Sequence, residues 1–134
     1  MVKLPHKPTN LREYKCDLVI NSQHFTKLEI SPYYEKHNQE YLDALKRKSA
    51  KLSAKELAKK LITDDLIRKV LVPQLDGKKE IRIDGYYYQY TYYYYVPLYN
   101  GNKAYKLIWC CDENNLHILG VMDCFRVEKF DKDD

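Results

Sequence analysis

Glycine is scarce in this chain, four residues in 134, as are methionine with two and tryptophan with one. There is no glycine-rich phosphate loop, and no dinucleotide fingerprint, H-E-x-x-H pair or G-x-S-x-G elbow occurs. Their absence argues against nucleotide-driven chemistry and against serine hydrolysis. No apolar run is long enough to span a bilayer, and Met1-Val2-Lys3-Leu4-Pro5-His6 lacks the hydrophobic region of a secretion signal. A cytoplasmic protein with no membrane partner is expected. The four cysteines, Cys16, Cys110, Cys111 and Cys124, show no secreted disulfide spacing. Adjacent strand residues point to opposite faces, so Cys110 and Cys111 do not readily share a metal. Cys124 and His117 could join one of them, but reduced, buried thiols are expected, with no metal and no cofactor.

The length suits one domain, residues 1–134, with an irregular arm over 1–13 and an acidic tail over 131–134. The net charge of +4 is mild but uneven, since Lys46 to Lys60 holds seven Lys or Arg against one Glu. Such a stripe suits phosphate backbones or an acidic partner, or is simply a solvated helix face.

The element pattern predicts an α+β fold. A first strand spans Tyr14 to Ile20, and Phe25 to Ile30 is either a short second strand or a tight connection. Ser31-Pro32 starts a helix running to about Lys48, and Ser53-Ala54-Lys55-Glu56 fits a capping box for a second, basic helix. Thr63-Asp64-Asp65 opens a third helix that Pro73 closes. A short strand follows over Glu80 to Asp84, with Gly85 serving a turn or a bulge. Tyr92 to Tyr99 and Ala104 to Cys111 pair across Asn100-Gly101, read as the centre of a type I′ turn. A last strand runs from Leu116 to Met122. The expected fold is therefore an N-terminal strand, two to three helices, and a curved antiparallel sheet of about four strands with helices on one face.

Fourteen tyrosines are the most unusual feature. Strand periodicity sends Tyr86, Tyr88, Tyr90, Tyr92 and Tyr94 to one face of the sheet, and Tyr87, Tyr93 and Tyr95 to the other, provided no bulge intervenes. A half-exposed face of this kind suits stacking of bases or the gripping of a protein. Tyrosine also simply favours a pleated, half-buried surface. His37, in Tyr33-Tyr34-Glu35-Lys36-His37-Asn38, is the natural general acid or base, with His24 a weaker candidate; His6 lies in the arm and His117 reads as structural. Arg126, Lys106 and Arg82 converge on a phosphate if the sheet order follows the chain.

Tyr105-Lys106-Leu107-Ile108-Trp109, a polar turn, Leu116-His117-Ile118-Leu119-Gly120-Val121 and then Phe125-Arg126 together resemble the closing hairpin of small bacterial toxins of the RelE/ParE type. Lys36-His37, followed by Ile62-Thr63-Asp64-Asp65-Leu66-Ile67, is similar to toxin-like families around the BrnT group. The resemblance covers the last fifty or so residues best. It implies a metal-independent endoribonuclease that cleaves mRNA, often on the ribosome, and is neutralised by a cognate antitoxin. Arg126 matches the basic residue ending the last strand, and Lys106 stands where those sequences often carry arginine. The Gly-x-Tyr-Arg run usual before that strand is missing, and the ParE-like branch shows that the fold also serves non-nuclease toxins. The resulting expectation is catalysis by His37, Arg126, Lys106 and Arg82, with His37 or a tyrosine moving the proton and Arg126 with Lys106 or Arg82 stabilising the charge on the phosphate. Single-stranded RNA would lie across Tyr88, Tyr90, Tyr92 and Tyr94, with its phosphates on Lys55 and Lys59. The competing expectation is a binding module that uses the same tyrosine face without chemistry.

Overall fold

The computed structural model describes residues 10–49 and 51–133. Most of the arm expected over 1–13 therefore lies outside the described residues. Six strands form one mixed sheet: β1 (Arg12–Ile20), β2 (Gln23–Ile30), β3 (Ile83–Tyr87), β4 (Tyr90–Asn100), β5 (Lys103–Asp112) and β6 (Asn115–Arg126). Their spatial order is β1-β2-β6-β5-β4-β3. All neighbours are antiparallel except β2 and β6, which run parallel with Lys27 opposite Ile118 and Ile30 opposite Val121. The expectation of about four antiparallel strands is thus corrected to six in a mixed sheet. The N-terminal region supplies a hairpin rather than a single strand. Its turn is made by Asn21 and Ser22, both in the left-handed region, a conformation that a short polar side chain such as asparagine's tolerates better than most.

β1 and β2 carry alternating apolar residues inward: Leu18 and Ile20 from one, Phe25, Leu28 and Ile30 from the other. The same layer receives Leu98 from β4, Tyr105, Leu107, Trp109 and Cys111 from β5, and Leu119, Val121 and Cys124 from β6. Tyr93 stacks on Trp109 with ring centroids 5.8 Å apart. Every buried helical or turn residue also joins this layer, namely Tyr34, Ile62, Ile67, Leu71, Val72 and Leu75. Each such aliphatic side chain removed from water contributes about 1.5–3 kcal/mol. The helical connection is held to the sheet mainly by this one apolar contact surface.

The helices start where the sequence signals them. Ser31 accepts from the Tyr33 amide and Pro32 occupies the first turn of a 3-10 segment, Pro32–Tyr34, that runs into α1 (Glu35–Arg47). α2 (Ala54–Lys60) begins at Ser53, whose Oγ accepts from the Glu56 amide at 3.1 Å and donates to Glu56 Oε1 at 3.0 Å. With seven residues and none of them buried, α2 depends on this cap, so Ser53→Ala should weaken it by about 1 kcal/mol. Faster hydrogen exchange at the Leu57 amide, which bonds the Ser53 carbonyl at 2.9 Å, is the readout.

The third helical segment departs from expectation in form. Leu66–Leu71 is a single π-helical stretch, and Pro73 sits within a following 3-10 turn, Val72–Leu75, rather than closing the helix. Proline is tolerated there because it lies in the first turn, where no N–H is needed. Thr63 caps the start by accepting from the Leu66 amide at 3.1 Å. Asp64 turns instead to β1, where it accepts from Arg12 Nε at 2.6 Å, Arg12 Nη2 at 2.7 Å, the Tyr14 hydroxyl at 2.6 Å and the Tyr34 hydroxyl at 2.5 Å.

The β4–β5 hairpin forms as the sequence suggests, but Asn100 pairs with Lys103, so the loop is Gly101–Asn102. Gly101 takes φ 63° at the first loop position, where a type II′ turn, rather than the expected type I′, reserves a place for glycine. Ile83–Tyr87 replaces the strand expected over Glu80 to Asp84, and a register shift between Ile83 and Gly85 marks a bulge. Among the described residues no helix is long and apolar enough to cross a membrane.

Candidate functional site

The sheet face opposite the helical layer carries a second, smaller cluster made only of strand residues: Tyr92, Ile108, Cys110 and Met122, with Tyr87, Tyr90 and Phe125 packed against it. Its composition follows from register. β4 alternates Tyr90, Tyr92 and Tyr94 onto this face, opposite Asp112, Cys110 and Ile108 of β5. In β6, Val121 opposes Trp109 while Asp123 opposes Ile108, so Met122 is an extra residue. Such a bulge re-aims the side chains beyond it. Without it Asp123 would point into the helical layer; with it Asp123 and Phe125 lie on the second face.

Lys106, opposite Phe125, extends over the Tyr94 ring at 4.3 Å and the Phe125 ring at 5.8 Å. A cation held over two aromatic rings is fixed in position without losing its charge. His37 reaches the same place from α1. Its ring lies 5.4 Å from Phe125 and meets the edge of Tyr33 at 6.2 Å. One ring nitrogen, Nε2, sits 2.9 and 3.1 Å from the two Asp123 oxygens, and the Cys124 amide donates to Asp123 at 2.8 Å. Asp123 is only 13% exposed and His37 28%. The hydrogen bond to Asp123 raises the His37 pKa above 6.5 against the opposing effect of burial, because the carboxylate favours the imidazolium. The other nitrogen, Nδ1, is 4.0 Å from Glu40.

α1 holds His37 there because it bridges the two layers at the sheet's rim. One residue on, Asn38 donates to the Ile62 carbonyl at 2.7 Å and accepts from the Ile62 amide at 2.8 Å. Ile62 belongs to the helical layer. This clasp anchors the turn that carries His37.

The other expected site residues lie elsewhere. Arg126 opposes Tyr105, on the helical side of the sheet, and is held by Asp131 through two bonds of 2.7 Å. Arg82 is exposed just before the edge strand β3. The three cations and the imidazole expected to act together therefore divide: His37 and Lys106 share Phe125, while Arg126 and Arg82 stand apart. The sheet order does not follow the chain, and pleating puts the neighbours Phe125 and Arg126 on opposite faces, the bulge at Met122 deciding that Phe125 is the one on the His37 side. Lys55 and Lys59 are exposed on α2.

The tyrosine alternation also needs correction. The chain turns at Tyr88-Gln89, with Tyr87 opposite Tyr90, so Tyr88 is a hairpin-turn residue at φ 54° and 83% exposed. Tyr92 is fully buried, with a hydroxyl that has no hydrogen-bond partner, and offers no stacking surface. Tyr90 is half-buried and Tyr94 41% exposed. Beside Tyr90 a cavity of about 190 Å³ is lined by Leu11, Glu29, Cys110, Asp112, Asn115 and Gly120 among others. At its wall Gly120 packs closely on Cys110, whose sulfur would lie 3.0 Å from a Cβ at that position.

Cys110 and Cys111 do fall into separate clusters, and burial raises both thiols. Among the described residues no group of three or more His, Cys, Asp or Glu could hold a metal ion. His24 is exposed on β2 and paired with Asp17 at 2.6 Å, and His117 is exposed on β6; His6 lies outside the described residues. Sequence reasoning missed Asp123 as the partner of His37. The signal was one carboxylate interrupting the apolar stretch from Leu119 to Phe125. No protein-family model, curated protein or solved structure matches this chain.

Proposed function

We propose that the protein acts on RNA, binding a single strand across the second face of the sheet and cleaving it with His37 and Lys106. The observation that carries this reading is the continuous row Tyr94, Lys106, Phe125, His37 and Asp123, which sets an exposed aromatic, a fixed ammonium and an imidazole side by side. A base stacks on Tyr94, and the adjacent phosphate is drawn to Lys106. The ribose 2′-hydroxyl attacks that phosphate, losing its proton to solvent. The bond to the 5′-oxygen breaks, and His37 as imidazolium gives that oxygen a proton, leaving a 2′,3′-cyclic phosphate and a 5′-hydroxyl. Lys106 offsets the charge that builds on the phosphoryl oxygens. In this reading the protein is the toxin of a toxin–antitoxin pair, its target mRNA and its partner a cognate antitoxin.

The test is induction of the wild-type chain and of Lys106→Ala in a bacterial host, with total RNA examined minutes later. Growth arrest with new RNA ends, lost in Lys106→Ala, is expected. Arrest with intact RNA removes the nuclease reading, and no arrest removes the toxin.

A second reading, binding without cleavage, is favoured by one observation: Arg126 is engaged by Asp131 and does not assist Lys106. Tyr94→Ala distinguishes the steps. It should weaken binding of a short single-stranded RNA about tenfold, the loss of one stacked base, as measured by fluorescence anisotropy. Under the second reading Lys106→Ala weakens binding similarly and no cleavage occurs in any variant.

A further inference from the structure

Asp131 of the acidic C-terminal tail lies among basic side chains. Past β6 the chain makes a 3-10 turn, Glu128–Phe130, and returns along β5, where the Val127 amide bonds the Ala104 carbonyl at 3.0 Å and the Lys132 amide bonds the Asn102 carbonyl at 2.8 Å. This path brings Asp131 onto three converging donors. Its Oδ1 accepts from Arg126 Nη1 and from the Ala104 amide, each at 2.7 Å, and its Oδ2 accepts from Arg126 Nη2 at 2.7 Å. Arg126 Nη1 also donates to the Ala104 carbonyl at 3.2 Å, and the guanidinium lies over the Tyr105 ring at 5.4 Å.

The cations around this seat outnumber the carboxylates. Lys103 is close enough to Lys60, Arg126 and Lys59 for their charges to add to its burial in lowering its pKa, with Asp131 opposing them. Glu128 is the other acid near Arg126. Lys59, Lys60 and Lys103 are in no ion pair among the described residues.

We propose that Arg126 and the Ala104 amide form a phosphate-binding site, framed by Lys59, Lys60 and Lys103, and that Asp131 fills it in the free protein. A carboxylate meets the guanidinium fork and the amide with its two oxygens and has no third oxygen to turn toward the lysines. A phosphate places two oxygens where Asp131 has them and turns the others to the ammonium groups. The site lies on the helical side of the sheet, away from His37 and Lys106, and does not depend on cleavage there. The phosphate is either free or carried by an RNA strand, and the two sources are separable by experiment.

Full-length wild type, Asp131→Asn and Asp133→Asn are titrated at fixed ionic strength with three probes: inorganic phosphate, a 5′-phosphorylated six-nucleotide RNA and the same RNA with a 5′-hydroxyl. Asp131→Asn should tighten binding about fivefold, because a neutral amide competes less well for a charged fork. A gain on all three probes assigns the site to any phosphate, and a gain on the first two alone to a terminal or free one. Asp133→Asn makes the same change in net charge outside the seat, so an equal gain there overturns the proposal, as does no gain on any probe. The gain must disappear in Asp131→Asn with Arg126→Gln. If that variant fails to fold, Lys60→Gln on the exposed α2 decides, and a gain undiminished in that background also overturns the proposal.

Discussion

His37→Ala is expected to slow cleavage of single-stranded RNA by roughly 10²- to 10³-fold while leaving binding within about twofold, since it removes proton transfer and not the stacking surface. The pH profile gives the sharper test. Bonding to Asp123 lifts the His37 pKa above its ordinary value, so the imidazolium persists further into neutral pH. As the proposed general acid it should be active on the low-pH side and fail as pH rises through that raised value. Replacing Asp123 by Asn removes the favourable charge. The alkaline limb should then move to lower pH, with the rate falling more at pH 8 than at pH 6. The same linkage acts on stability: the pair's contribution is complete below 6.5, the ordinary value, and is lost as pH rises through the folded one. An unchanged limb in Asp123→Asn, with rate loss equal at both pH values, would mean that His37 does not carry the proton.

Asp64→Ala is expected to destabilise the fold by about 3 kcal/mol, measured as a lower urea midpoint at constant slope. The carboxylate is 14% exposed and takes four bonds from three side chains on β1 and the first 3-10 turn. Removing it takes the short carboxylate bonds from Arg12, which keeps Glu35 at 3.7 Å and the Tyr34 hydroxyl at 3.2 Å, and deprives the Tyr14 and Tyr34 hydroxyls of their acceptor. Despite its burial, Asp64 is held at about 2, because Arg12, Tyr14 and Tyr34 all donate to it. A carboxyl depressed in the folded state stabilises above its ordinary value of 3.8 and loses that contribution as pH falls toward about 2. Its share is about 2 kcal/mol, so stability of the wild type should drop steeply between pH 4 and 2. Asp131, held at about 2 by Arg126 and the Ala104 amide, titrates in the same window. Asp64→Ala should therefore flatten that slope without abolishing it.

The elements legible in the sequence were those governed by local chemistry. Ser31-Pro32 and Ser53 cap helices because capping involves residues within one turn. Gly101 marks a hairpin because its conformation is a property of two or three residues. What escaped reading is non-local. Nothing in Lys27 to Ile30 announces a parallel partner ninety residues on, and nothing at Met122 announces a bulge, since bulges arise from the register of two distant strands. That bulge alone set Phe125 beside His37 and left Arg126 on the other side. Asp64 was read as part of a helix start from its place after Thr63, whereas the stronger attraction of Arg12 came from a strand the local pattern could not bring near. The tyrosine run concealed a turn at Tyr88-Gln89, because neither residue has the glycine or proline that usually signals one.

The parallel pairing of β2 with β6 also governs when the His37–Asp123 pair can form. Those strands are separated by the whole helical region and three further strands, and His37 and Asp123 by 86 positions. Contacts so remote give a high contact order and a slow final closure. On a ribosome, where the N-terminal part emerges first, β1 and β2 can form their hairpin early, yet the sheet has no centre until β6 has been released. The nascent chain thus carries His37 without Asp123, and the pair forms only once β6 has taken its place beside β2.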